Sequence, residues 1–166
     1  MAKTILLIRH AKSSWDNENL PDFERPLSER GKRDAPEMAK RLLKKKQRID
    51  QFVSSPAKRA RRTAEYFARE YDVDENKILF VPRLYHAATL DFIETIQELN
   101  NAAEQVAIFS HNPGITEFAS SLTSTRIDDM PTCAIIAFKV MADRWEDFAK
   151  AEKTFLYFDS PKAGKV

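Results

Sequence analysis

Two histidines and two arginines stand where a chain of this kind would do chemistry. Arg9-His10 follows the apolar run Thr4-Ile5-Leu6-Leu7-Ile8. Ser54-Ser55-Pro56 with Arg59 follows Gln51-Phe52-Val53, and Ser110-His111-Asn112-Pro113 follows Val106-Ala107-Ile108-Phe109. Arginine offers forked donors to oxyanions, and histidine serves as nucleophile or donor, so the set suits a phosphoryl dianion. One Arg-His pair carries little, because the two residue types meet by chance. Three polar ends behind three apolar runs carry more. The chain has only three glycines, so it holds no Gly-rich phosphate loop, and a phosphate site must be built from side chains and helix termini.

The elements that must position these residues follow from periodicity. Thr4 to Ile8 is continuously apolar, as expected of a strand buried on both faces. Ala35, Met38, Ala39, Leu42 and Leu43 fall at helical spacing after Ser28, which reads as an N-cap, with Pro36 marking a kink or a late start. A second strand is expected at 51–53, then a helix carrying Ala60, Ala64, Phe67, Ala68 and Tyr71, a third strand at 78–81, and a helix marked by Leu90, Ile93, Ile96 and Leu99. The strand at 106–109 leads to a helix opened by Asn112-Pro113 and carrying Ile115, Phe118 and Leu122. Strands alternating with amphipathic helices predict an α/β fold with a mainly parallel sheet and helices on both faces. Ala134 to Val140 and aromatic-rich pieces near Trp145 and Phe155 to Phe158 would close it. In such sheets ligands bind beyond the carboxyl ends of the strands, where the histidines and arginines collect.

Composition narrows the classes of partner. The 166 residues fit one domain over 1–160, with a polar, flexible tail expected over 161–166. Charge is nearly balanced, 27 Lys and Arg against 25 Asp and Glu, which gives no overall field for nucleic acid or a membrane surface. Cys133 is the only cysteine, so no intramolecular disulfide forms, and its apolar surroundings place it in the core. No apolar run approaches the length of a bilayer span, and no leader pattern opens the sequence, so a cytoplasmic location is expected.

In order along the chain come Arg9-His10-Ala11-Lys12-Ser13, Arg25-Pro26-Leu27-Ser28-Glu29-Arg30-Gly31, Ser55-Pro56-Ala57-Lys58-Arg59-Ala60-Arg61-Arg62-Thr63 and Ser110-His111-Asn112-Pro113-Gly114. Together they resemble the histidine phosphatase superfamily, also called phosphoglycerate-mutase-like, and most of all its short SixA-type phosphohistidine phosphatase branch. The resemblance runs over most of the chain. It implies a three-layer α/β/α sandwich with His10 as nucleophile and with Arg9, Arg59 and His111 binding the transferring phosphoryl oxygens. Ser13 would be a further oxygen contact, and neither a metal nor another cofactor is required. The function implied is a metal-independent phosphatase, removing phosphate from histidine on a protein through a phosphohistidine intermediate on His10.

Two departures from the family pattern bear on the substrate. Ala11 stands where many members carry glycine, which alters backbone freedom more than chemistry. Larger members place a carboxylate after the third strand as general acid, whereas this chain reads Arg83-Leu84-Tyr85-His86-Ala87. A phosphorus–nitrogen bond is weaker than a phosphoester and needs a strong acid less, so the missing carboxylate points toward a phosphoramidate. Asp16 and His86 are candidate proton donors; equally, Asp16 caps a turn beside Trp15 and His86 is an incidental loop residue. Short connections predict no lid and an open mouth able to admit an imidazole on another protein. Lys58-Arg59, Arg61-Arg62 and Lys44-Lys45-Lys46 would guide an acidic partner, although the lysine run also reads as the solvated end of a helix. The competing readings are a phosphatase of small phosphate esters and a phosphate-binding module without turnover.

Overall fold

The structure, a computed structural model, describes residues 2–163. Strand β1 (Lys3–Arg9) shows why an unbroken apolar run was needed. Ile5 and Leu7 point to one face of the sheet and Leu6 and Ile8 to the other, and all four are fully buried. Five further strands join it: β2 (Gln51–Ser54), β3 (Leu79–Phe80), β4 (Gln105–Ser110), β5 (Ile135–Val140) and β6 (Lys153–Asp159). Their order is β3-β2-β4-β1-β5-β6. The first four are mutually parallel, β5 runs antiparallel to β1, and β6 antiparallel to β5.

Helices cover both faces. On one side α1 (Glu29–Lys44) and α2 (Lys58–Glu70) pack Ala35, Met38, Leu42, Ala64 and Phe67 onto Leu6, Ile8, Phe52 and Phe109. On the other, α3 (Thr89–Gln97), α4 (Gly114–Ser121) and the turn at Trp145 pack Phe92, Ile96, Phe118 and Trp145 onto Ile5, Leu7, Val53 and Ile108. This is the expected three-layer α/β/α arrangement. Among the described residues no helix is long and apolar enough to cross a membrane.

Several local expectations shift. Ser28 does cap α1, accepting from the Gly31 amide at 3.1 Å, but the helix runs through Pro36 and does not begin there. The third strand shrinks to two exposed residues at the sheet edge, where β2 is its sole neighbour and only one flank can pair. In α3, Leu90 is exposed and Phe92 takes the buried position with Ile96, and Leu99 joins the same core just beyond the helix. Pro161 to Ala163, expected as the start of a loose tail, form a turn in which Arg41 donates to the carbonyls of Ser160, Pro161 and Ala163. The rest of that tail, residues 164–166, lies outside the described residues.

Connections are not uniformly short. Residues 10–28, between β1 and α1, form a long loop whose 3-10 turn Asp22–Glu24 packs against α2. The loop is pinned at Gly31, where any side chain would put its Cβ 2.2 Å from the Lys12 carbonyl oxygen. Gly114 is pinned in the same way against the Ala87 carbonyl, which draws the loop bearing Tyr85 and His86 to the start of α4.

Candidate active site

Three adjacent parallel strands, β2, β4 and β1, end together, and their register fixes the site. Arg9 pairs with Ser110 and Ser54 with Phe109, so His10, His111 and Ser55 emerge side by side. The His10 amide continues the ladder to the Ser110 carbonyl, and the Ser55 amide continues it to Phe109. The two imidazoles lie with centroids 5.1 Å apart. Both are recessed, with 6% of His10 and 7% of His111 exposed.

His10 is held in one tautomer. Its Nδ1 donates to the Ala11 carbonyl at 2.7 Å, which leaves the Nε2 lone pair free. Burial, reinforced by the charges of Arg59, Arg9 and Arg25, depresses its pKa to about 3 against the contrary pull of the Ala11 bond, so the ring is neutral at physiological pH. The backbone beneath it is clamped. The Ala11 amide donates to Thr63 Oγ1, whose hydroxyl donates to the Arg59 carbonyl on α2, and the Cys133 amide reaches the carbonyls of both Arg9 and His10. Cys133 is wholly buried, as expected, and its φ of 62° is a left-handed value uncommon outside glycine.

His111 has the complementary arrangement. Its Nε2 lies 2.8 Å from Ser55 Oγ, and that oxygen already accepts from the Ala57 amide at 3.2 Å. A donating Ser55 hydroxyl satisfies both groups and puts the imidazole proton on Nδ1. Burial, with the neighbouring His10 and Arg59, lowers the pKa of His111 to about 2. The ring is therefore a neutral donor, and its Nδ1 is buried with no partner.

The arginines repeat this pattern. Arg9 donates Nη1 to the Met130 carbonyl at 2.8 Å, and Arg59 donates Nη1 to the Asp22 carbonyl at 2.7 Å and Nη2 to Asp22 Oδ2 at 3.0 Å. In each, Nε is buried and unpartnered. Among the described residues, five buried side-chain polar atoms lack a hydrogen-bond partner. Three are Arg9 Nε, Arg59 Nε and His111 Nδ1; the others belong to Arg61 and Asp34. Orphaned buried donors are costly, about 1–3 kcal/mol each, and three on residues grouped round His10 form a set of donors suited to an oxyanion.

The mouth of the site holds residues that sequence reasoning passed over. Asp22 Oδ2 accepts from Arg59 and also from the Tyr85 hydroxyl at 2.6 Å, while Oδ1 accepts from Arg25 Nε at 3.2 Å. Burial opposes its ionisation, but the bonds from Tyr85, Arg59 and Arg25 prevail and hold the carboxyl well below the usual range. Arg25, itself buried, donates to Ser13 Oγ at 2.8 Å and stacks on the exposed Trp15 ring at 3.6 Å. Ser13, expected at a phosphoryl oxygen, is thus already engaged in holding Arg25. A carboxylate is present after all, but it comes from the β1–α1 loop and not from the segment after β3. The one signal for it was position, three residues before the arginine of Arg25-Pro26-Leu27.

The two candidate proton donors part company. His86 is exposed with φ 59°, its ring 4.0 Å from that of Tyr85, which in turn contacts His111. Asp16 is exposed and lines a separate surface hollow with Asn17, Pro26, Leu27 and Lys32.

A recessed neutral imidazole with a free lone pair, set among unpaired cationic and neutral donors, is chemically suited to a phosphoryl group. The family model of the histidine phosphatase superfamily (branch 1) matches residues 5–84. An uncharacterised chloroplastic protein of Arabidopsis thaliana is 30% identical over 156 residues, 89% of this chain and 71% of that protein. An uncharacterised protein of Mycobacterium tuberculosis (strain H37Rv) is 27% identical over 93% of this chain and its own whole length. Among solved structures, the protein histidine phosphatase SixA complexed with tungstate superposes with TM-score 0.79 and 25% identity over 95% of this chain and 97% of that one. A mycobacterial glucosyl-3-phosphoglycerate phosphatase shares the fold at TM-score 0.65 and 14% identity, over 93% and 97%. The chain belongs to the histidine phosphatase superfamily, and its class is that of a phosphatase.

Proposed function

We propose that the chain is a protein phosphohistidine phosphatase, with His10 as nucleophile and Arg9, Arg59 and His111 as the phosphoryl clamp. The observation that carries this reading is that Arg9 Nε, Arg59 Nε and His111 Nδ1 are buried and unpartnered on the residues whose charge or ring acts on a neutral His10, whose own Nδ1 is already tied. In the first step the His10 Nε2 lone pair attacks phosphorus in line, and the bond to the leaving nitrogen breaks with its electron pair going to the departing ring. That ring leaves as neutral imidazole when its other nitrogen carries a proton, so no general acid is consumed. In the second step water attacks the phosphohistidine, supplying the fourth oxygen and the protons of the released phosphate, and His10 regains its lone pair. The clamp meets charge in both transition states.

The partner would be a phosphorylated protein. A hollow of about 320 Å3 lined by Lys32, Lys58, Arg62, Glu65 and Arg69 carries more positive than negative charge, although Arg62 is paired with Glu65 and Arg69 with Glu75, and would receive an acidic segment of it. One observation favours the alternative of a small phosphate ester, namely that the Asp22–Glu24 turn packs on α2 and binds Arg59 through Asp22, which narrows access beside that arginine. Side-by-side turnover separates the two. The proposal expects a phosphohistidine peptide to be dephosphorylated with a kcat/KM well above that of sugar phosphates, and the reverse order would replace it. Binding of phosphate with no release from either substrate would mark a module without turnover.

A further inference from the structure

The charges of the site nearly dictate what it will accept. Arg9, Arg25 and Arg59 bring three guanidinium groups to His10 and both imidazoles are neutral, while Asp22 contributes one carboxylate. Asp129 acts on Arg9 as a second nearby carboxylate, so the surplus of positive charge is small and a phosphoryl dianion uses it up. A second anionic group on the substrate would find no cation left for it and would meet Asp22.

Asp22 also has capacity to spare. An ionised carboxylate offers about four acceptor positions, and Arg59, Tyr85 and Arg25 occupy three. Its side chain is 45% exposed, so the remaining position is open to solvent. The surroundings are flat and aromatic. Phe23 meets Tyr85 edge-on at 5.1 Å, and Tyr85 contacts His86 at 4.0 Å and His111 at 5.5 Å. Tyr85 thus joins the carboxylate of the mouth to the histidine of the clamp.

We infer that Asp22 is the specificity-determining residue of this phosphatase: it accepts a hydrogen bond from the leaving group, so that a planar ring bearing N–H is favoured and an anionic leaving group is rejected. The inference rests on the proposed phosphohistidine reading and deepens it, because a carboxylate facing the far nitrogen of a phosphorylated imidazole keeps a proton there. The phosphorus–nitrogen bond then breaks with its electron pair passing into a ring that departs neutral. Asp22 acts as an acceptor throughout and donates no proton. This accounts for a site of the superfamily that lacks an acid after β3.

A bracing role for Asp22 alone, holding Arg59 in place, predicts something different: its loss would lower every substrate by a common factor. The test measures kcat/KM for a phosphohistidine peptide, for p-nitrophenyl phosphate and for 3-phosphoglycerate, whose alcohol carries a carboxylate, in the wild type and in Asp22→Asn, Asp22→Glu and Tyr85→Phe. Asp22→Asn should lower the phosphohistidine-to-phosphoglycerate ratio about tenfold or more and raise phosphoglycerate relative to p-nitrophenyl phosphate. Asp22→Glu should restore most of the selectivity, and Tyr85→Phe, which keeps the charge, should change it by less than about threefold. Equal losses on all three substrates in Asp22→Asn would overturn the inference. Should the wild type hydrolyse the esters and leave phosphohistidine intact, the proposed substrate fails, yet the two esters alone still decide whether Asp22 selects by charge.

Discussion

The floor and the mouth of the site are built in different ways. On the floor, His10, Ser55 and His111 are continuations of three paired strands, and each imidazole has one nitrogen bonded within the protein and the other left open. At the mouth, Asp22, Arg25 and Tyr85 come from loops and hold one another through side chains. Positions fixed by sheet register tolerate little error, which is what in-line attack on phosphorus demands. Positions fixed by side-chain bonds can adjust to a leaving group. The division assigns chemistry to the floor and selectivity to the mouth, and substitutions should reveal it.

The largest effect falls on the proposed nucleophile. His10→Ala should lower kcat by about four orders of magnitude or more on every phosphorylated substrate, as measured by phosphate release. Arg59→Ala and Arg9→Ala, each removing a donor that no other group replaces, should lower kcat/KM by about 10²- to 10³-fold with little change in the order of substrates. At Ser55 the loss should be smaller, about tenfold in kcat for Ser55→Ala, because the His111 ring stays but its tautomer is no longer imposed. A floor residue whose substitution reorders the substrates, or a mouth residue that lowers all of them by 10³-fold, would break the division.

The smallest effect is on stability. The ordinary histidine pKa of 6.5 applies to the unfolded chain, whereas the folded values lie near 3 for His10 and near 2 for His111. Between about pH 6.5 and pH 3 the unfolded chain takes up protons that the folded site refuses. Stability is therefore fully present above pH 6.5 and falls as pH drops through that window. Thermal midpoints recorded across it should fall more steeply in the wild type than in the double variant His10→Asn, His111→Asn.

The same division governs what could be read from the sequence. A strand buried on both faces leaves a continuous apolar run, and the residue that ends it is visible by contrast, so Arg9, His10 and His111 stood out together with the alternating α/β order. Arg59 was visible through its spacing from Ser55. The mouth left no such mark. Asp22 and Tyr85 are far apart in the chain and meet only because Gly31 and Gly114 let their loops close on Lys12 and Ala87. The connections were expected to be short and to leave the mouth open, whereas residues 10–28 form a long loop whose turn packs on α2 and bonds Arg59. The edge strand β3 was overestimated because only Ile78 and Val81 of this apolar run pack into the core, while the two residues that pair, Leu79 and Phe80, are exposed.

The central claim is that His10 takes the phosphoryl group onto its own ring. Rapid quenching of the wild type during turnover of a phosphodonor, with mapping of the labelled peptide, tests it most directly. The account predicts phosphate on His10 that is acid-labile and base-stable, formed and lost at rates no slower than turnover and absent from His10→Ala. Full turnover with phosphate never found on His10, or a His10→Ala protein that keeps its activity, would contradict it.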